Sequence, residues 1–147
     1  MKVSIITVTF NSAATLQDTI DSVAKQDYPD IEYIVVDGSS QDGTVELIRK
    51  NQDTISQWIS EPDEGLYDAM NKGIQMATGD LVGIINSDDF YHRPDAISQI
   101  VNAFQIFGTQ CVYGDIRFVN PDNLDKTVRY YSSGRFAKHK FKRGIIP

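Results

Sequence analysis

Apolar runs rich in β-branched residues alternate with stretches of helical spacing through residue 107, and that alternation leaves very few folds open. Val3 to Phe10 reads V-S-I-I-T-V-T-F, suited to a central strand. Asn11-Ser12 offers a cap for a helix with Leu16, Ile20, Val23 and Ala24 on one face. Ile31 to Val36 is a second strand, stopped by the turn-forming cluster Asp37-Gly38-Ser39-Ser40. A short helix over Thr44 to Lys50, with Val45 and Ile48 inward, leads to a more polar strand at Ile55 to Ile59, placed near a sheet edge. After the break Glu61-Pro62-Asp63-Glu64-Gly65, residues Leu66, Met70, Gly73, Ile74 and Ala77 predict a helix that Gly79 closes. Leu81 to Ile85 is then a strand of the kind buried on both faces of a parallel sheet. Pro94 fits a first helical turn, followed by the stripe Ile97, Ile100, Val101, Phe104 and Phe107. Cys111 to Val119 and Thr127 to Tyr131 are expected to pair as an antiparallel addition across Pro121-Asp122-Asn123. Strand–helix alternation implies an α/β fold: a mostly parallel central sheet with helices on both faces.

A chain of 147 residues fits one domain, and 41% hydrophobic with 23% charged residues is ordinary globular composition. No apolar run reaches membrane-spanning length, and Met1-Lys2-Val3 leads straight into a core strand instead of a signal segment. The single Cys111 is expected to be a buried structural thiol, and one cysteine fits a reducing cytoplasm. The net charge of −6 is unevenly spread. All 20 acidic residues lie in 1–125, whereas 126–147 carry half of the 14 basic residues and no acid. An acidic body argues against nucleic acid as a partner. The basic end is expected to face that body, with an anionic lipid or a substrate phosphate as alternatives, the first giving a peripheral membrane association. The apolar, proline-ended stretch Phe141 to Pro147 reads as the start of a further segment, dividing the chain into a ligand-binding part at 1–125 and a basic beginning of a second part at 126–147.

Chemistry collects where the strands run out. The run ending at Ile85 is followed by Asn86-Ser87-Asp88-Asp89, two adjacent carboxylates at the edge where open α/β sheets bind ligands. Two negative groups this close destabilise each other unless a cation joins them, and hard oxygen donors suit Mg²⁺ or Mn²⁺ shared with substrate phosphates. The other strand ends bring Thr7, Thr9, Phe10 and Asn11, then Asp37 and Ser39, then Glu61, Asp63 and Glu64. Carboxylates that accept base N–H groups, hydroxyls for ribose and a metal for a diphosphate make up a nucleotide site. No G-x-G-x-x-G or G-x-x-x-x-G-K-[ST] follows the first strand, which removes dinucleotide and P-loop readings.

Four ordered motifs, S-I-I-T-V-T-F-N, V-V-D-G-S-S-Q-D-G-T, S-E-P-D-E-G-L-Y-D-A-M-N-K-G and I-N-S-D-D, resemble the nucleotide-binding half of family 2 glycosyltransferases over residues 3 to about 120. The resemblance implies a Rossmann-like GT-A fold and an inverting transfer of sugar from a nucleotide-sugar, typically a UDP-sugar, to a saccharide or lipid-linked acceptor. It implies a cytoplasmic enzyme, at the inner membrane face where the acceptor is lipid-linked, in bacterial cell-surface polysaccharide assembly. Thr9, Phe10 and Asn11 would line the nucleotide pocket, Asp37 would bond the base, and Asp68, Asn71 and Lys72 would lie near the diphosphate. Asn86 stands where the family's D-x-D has its first aspartate, which leaves open whether Asp88 or Asp89 is the principal metal ligand, with Asp88 orienting the ribose as the alternative. The general base comes from a later acidic motif, expected beyond Pro147; Asp115 is the late acid at a strand position. His92 and His139 read as solvated residues. Two other classes remain open at this point: a nucleotide-sugar-binding module without catalysis, and a metal-dependent nucleotidyltransferase, which would need a glycine- and lysine-rich loop after the first strand.

Overall fold

The computed structural model describes residues 1–135; His139 and most of the basic end fall outside them. Two compact units divide at Val101 and Asn102. The first holds strands β1 (Val3–Thr9), β2 (Ile31–Asp37), β3 (Gln57–Ser60) and β4 (Leu81–Asn86), joined by helices α1 (Leu16–Ala24), α2 (Thr44–Lys50) and α3 (Leu66–Met76). The boundary falls within α4 (Ala96–Phe107), and the second unit carries the strands β5 (Ile116–Asn120) and β6 (Asn123–Tyr131).

All four strands of the first unit run parallel in the order β3-β2-β1-β4, with Thr9 level with Asp37 and Val8 level with Asn86. Residues alternate between two cores, as the period of a strand dictates. Val3, Ile5, Tyr33 and Val35 meet Leu16, Ile20 and Val23 of α1, Ile48 of α2 and Ile97 and Val101 of α4. Ile6, Val8, Ile34 and Val36 meet Ala69 of α3 on the opposite face. Helices therefore cover both faces, as the alternation predicts. On α3, however, Leu66 and Ile74 of the expected inward stripe lie exposed, and Ala69 and Gly73 take the buried positions. The helix sits so close to β1 that a Cβ on Gly73 would stand 2.4 Å from Ile6 Cγ2.

Three expectations change. β4 is an edge strand, with Val82 48% and Ile84 42% exposed, because α3 lies over β1 and β2 and leaves the matching face of β4 open. Cys111 is exposed and precedes β5: Thr109 Oγ1 bonds both the carbonyl and the N–H of Cys111, a local turn that keeps this stretch out of the sheet. β6 begins at Asn123 instead of Thr127, and the pairing with β5 is irregular around Val119. No helix among the described residues is long and apolar enough to cross a membrane.

At the amino-terminal edge of the sheet, a network absent from the sequence reading ties β1, β2 and the α3–β4 loop together. Glu32, 5% exposed, accepts from Lys2 Nζ at 2.7 Å, Ser4 Oγ at 2.6 Å, and Thr78 N and Oγ1 at 2.8 and 2.7 Å. Burial disfavours its charge, but these donors outweigh that and hold its pKa down to about 2.

Candidate functional site

A cleft of about 480 Å³ opens at the carboxyl ends of the strands. The end of β1 contributes Val8, Thr9 and Phe10, and Ser12 follows; the end of β4 contributes Asn86, Ser87 and Asp88. Asp63, Gly65, Leu66 and Ala69 close the α3 side. This is the edge at which parallel sheets place ligands, because the loops there lead from strands into the first turns of helices.

Of the residues marked from sequence, Thr9, Phe10, Asp63 and Asp88 line the cleft. Phe10 is 63% exposed and presents its ring to solvent. Thr9 is 5% exposed, and its Oγ1, like Asn86 Oδ1, is buried with no hydrogen-bond partner among the described residues. Buried polar atoms of this kind are rare in folded proteins, and a cleft that receives a polar ligand accounts for them. Asn86 turns its Nδ2 to Asp89 Oδ2 at 3.3 Å, and that contact leaves its carbonyl oxygen as the orphan.

The acidic pair sits on a braced loop. Ser87 Oγ donates to Ser12 Oγ at 2.9 Å, and Thr19 Oγ1 of α1 donates to the Asp89 carbonyl at 2.7 Å. Partial desolvation raises the pKa of Asp89, and the charge of Asp88 raises it further, against the opposing bond from Asn86. An acid disfavoured in its charged form beside a second acid is a site that a cation would relieve. Among the described residues no group of three His, Cys, Asp or Glu side chains joins to hold a metal. Two carboxylates alone fit Mg²⁺ or Mn²⁺, ions that retain waters and complete their shells with phosphate oxygens.

Other residues lie elsewhere than expected. Thr7 belongs to the core: it is fully buried, with its hydroxyl 3.0 Å from that of Tyr33. Strand parity turns it toward the helices of the first core, away from the cleft. Asp37 is fully buried as well. Its carboxylate accepts the Ser40 N–H at 3.0 Å, the Ser40 hydroxyl and the Ser60 hydroxyl at 2.6 Å, which tie it to the loop after β2 and to the end of β3. Ser40 Oγ in turn accepts the Asn11 N–H at 2.7 Å, and Asn11 Oδ1 accepts the Gln41 N–H at 3.0 Å. Asn11 and Ser39, both with left-handed backbone at φ 50° and 65°, thus shape the loops after β1 and β2. Strain of this sort persists where surrounding bonds over-determine it, and functional sites are where it gathers.

Lys72 is committed to its own neighbourhood. Its Nζ meets Pro62 O at 2.8 Å, Glu61 Oε1 at 2.9 Å and Asp68 Oδ2 at 3.4 Å, and the bond with Glu61 leads in raising its pKa. Asp68 also accepts the Glu64 N–H at 3.2 Å, so these residues fix the loop before α3, and Asn71 and the Glu64 side chain face solvent. Asp115 in the second unit bonds the Tyr130 hydroxyl and the Ser133 N–H and hydroxyl, at 2.7 and 2.8 Å for the latter two. The Tyr130 bond leads in lowering its pKa. His92 is exposed.

The sequence profile of Glycosyl transferase family 2 matches residues 4–146. The chain belongs to that family. A glycosyltransferase of Mycobacterium tuberculosis, described as uncharacterized, is 45% identical over 102 residues, 69% of this chain and 39% of the relative. The family 2 chain thus spans well under half the length of that relative. The chain shares the fold of GT-A glycosyltransferases of known structure. Residues 1–349 of S. aureus TarS, solved with UDP-GlcNAc, superpose with a TM-score of 0.65 at 26% identity, over 71% of this chain and 31% of that one. The mannosyltransferase PcManGT of Pyrobaculum calidifontis, solved with GDP-Man and Mn²⁺, gives 0.65 at 26% identity, over 84% of this chain and 37% of its own.

Proposed function

We propose that the chain binds a nucleotide-sugar, of the UDP class, in the cleft at the ends of β1 and β4 and takes part in transferring its sugar, with inversion, to a hydroxyl of a saccharide or lipid-linked acceptor. The observation that carries this is the juxtaposition of Asp88, the orphaned polar atoms of Thr9 and Asn86, and an exposed aromatic ring in one cleft. Solved neighbours that hold UDP-GlcNAc or GDP-Man support it.

Asp88 and Asp89 would hold a divalent cation, which when bound neutralises charge on the departing nucleoside diphosphate. Thr9 and Asn86 offer hydrogen bonds to hydroxyls, and Phe10 a flat apolar face. Val8, Leu66 and Ala69 give the cleft its apolar walls. Departure of the diphosphate leaves positive charge on the anomeric carbon, as in glycoside hydrolysis, and a base must take the acceptor's proton. With Asp115 engaged in its hairpin, that base is assigned to the later acidic motif of the family. The same engagement favours a second reading, a donor-binding module that transfers nothing by itself.

Calorimetry with UDP tests the donor reading. Mn²⁺ is expected to tighten UDP binding, and Asp88→Asn or Asp89→Asn to remove the Mn²⁺ effect while leaving metal-free binding in place. Equal affinity with Mn²⁺ and with chelator would count against the metal role. Sugar transfer to any acceptor would dismiss the module.

A further inference from the structure

Asp37 is sealed beneath Ser40 and Ser60. The next residue is Gly38, and the space its missing side chain leaves is filled from the loop that follows the neighbouring strand β3. A Cβ at residue 38 would stand 2.5 Å from Asp63 Oδ2 and 3.3 Å from the Phe10 ring. Asp63 therefore puts a carboxylate over the end of β2, where a side chain of residue 38 would otherwise project. Its Oδ1 accepts the Gly65 N–H at 2.8 Å, and among the described residues no donor reaches Oδ2. Lys72, bonded to Pro62 O at 2.8 Å, anchors the loop from the side of α3. Asp63 and Phe10 both line the cleft.

We propose that Asp63 is the base-recognition residue, its Oδ2 accepting the ring N–H of a nucleobase lying against Phe10, and that residue 38 is glycine to admit it. This rests on the nucleotide-sugar reading above. A carboxylate accepts and does not donate. Uracil offers N3–H on its pairing edge and guanine N1–H, whereas cytosine and adenine present a lone pair at the corresponding ring nitrogen, which a carboxylate repels. With Oδ1 already taken by Gly65, a single oxygen remains, which matches the single N–H of uracil better than the two adjacent donors of guanine. Asp37 is then a positioning residue, holding Ser40 and through it Asn11.

Calorimetry of the whole chain with UDP, 3-methyluridine diphosphate, CDP and GDP decides the matter, with circular dichroism to establish that each variant is folded. The unaltered chain should favour UDP over CDP and over the N3-methylated analogue by about tenfold or more, the scale of a charge-assisted hydrogen bond lost and a buried group left unpaired. Asp63→Ala should erase that preference by weakening UDP alone, and Gly38→Ala should do the same by displacing the carboxylate. Asp63→Asn, which can donate, should shift the preference toward CDP. Ser60→Ala, which loosens Asp37, should weaken UDP and CDP by one common factor. GDP binding that exceeds UDP and falls in Asp63→Ala would uphold the role of Asp63 and name guanine as the base. An unchanged UDP-to-CDP ratio in Asp63→Ala overturns the assignment, as does selective loss of UDP in Ser60→Ala. Should the unaltered chain bind none of the four, the nucleotide-sugar reading fails first and the assignment with it.

Discussion

Glu32 shows what one buried carboxylate does when every donor around it is in place. It joins Lys2 and Ser4 at the start of β1 to Thr78 in the α3–β4 loop, at the sheet edge opposite the cleft. Taking a carboxylate out of water is costly, and here the surrounding hydrogen bonds and the ammonium more than offset it, so its pKa lies at about 2 against an ordinary 4.5. A carboxylate with a depressed pKa in the folded state stabilises the fold fully above the ordinary value. That contribution, on the order of 3 kcal/mol, drains away as the pH falls from 4.5 towards 2. Glu32→Ala should therefore lower stability by about 3 kcal/mol at neutral pH, leaving the Ser4 hydroxyl proton and the Thr78 N–H without an acceptor. Urea midpoints at pH 7, 4 and 2.5 check it: the unaltered chain loses stability across the acid range, and the variant converges on it at the lowest pH. A variant equal to the unaltered chain at pH 7 would show the network to be energetically neutral.

At the scale of elements, the decisive contact is α3 laid on β1. Gly73 allows it, and a methyl group there meets Ile6 Cγ2, a branch point held in a central strand that cannot swing aside. Gly73→Ala gains about 1 kcal/mol of helix propensity and loses about 1–3 kcal/mol to overpacking, so destabilisation should win by roughly 1 kcal/mol. Thermal unfolding gives the sign, and a rise in midpoint would mean that α3 can shift without cost. The same contact explains what was legible in the sequence. The strands and helices could be read because β-branched runs and 3.6-residue stripes each announce one element. The exposure of β4 could not, since an apolar run looks alike whether or not a helix covers it, and α3 is placed by Gly73 and Ala69, residues that carry little hydrophobic signal. At the site, Asp88 was legible because two acids end an apolar run. Thr7 was misplaced because strand parity, invisible in a linear motif, turns it to the core, and the serine partners that bury Asp37 were equally invisible there. Asp63 was visible as a strand-end acid, but only its meeting with Gly38 across the fold distinguishes it from Glu61 and Glu64.

Over the whole molecule, stability is expected to be far from uniform. β1 and β2 are buried along nearly their full length, between helices on both sides. β5 and β6 form a two-stranded ribbon whose residues are mostly exposed, held by the Asp115 cluster and by Arg129 4.5 Å over the Tyr131 ring. A lone hairpin is marginally stable in water, and exposed backbone hydrogen bonds open readily. Amide hydrogen exchange should therefore place β1 and β2 at the global unfolding free energy and residues 116–131 well below it. The donor site adds a second layer. A ligand that binds only the folded state at 100 times its Kd stabilises it by about 2.7 kcal/mol, and that gain reaches every amide that exchanges by global unfolding. UDP with Mn²⁺ should thus slow exchange throughout β1 and β2. Segments that touch the ligand gain beyond their own local opening, so residues 61–68 and 86–91 should respond too, whereas the ribbon, which opens without releasing ligand, should not. Equal slowing in the ribbon would mean that the two units open together, and no slowing in 61–68 would separate the loop that carries Asp63 from the bound nucleotide.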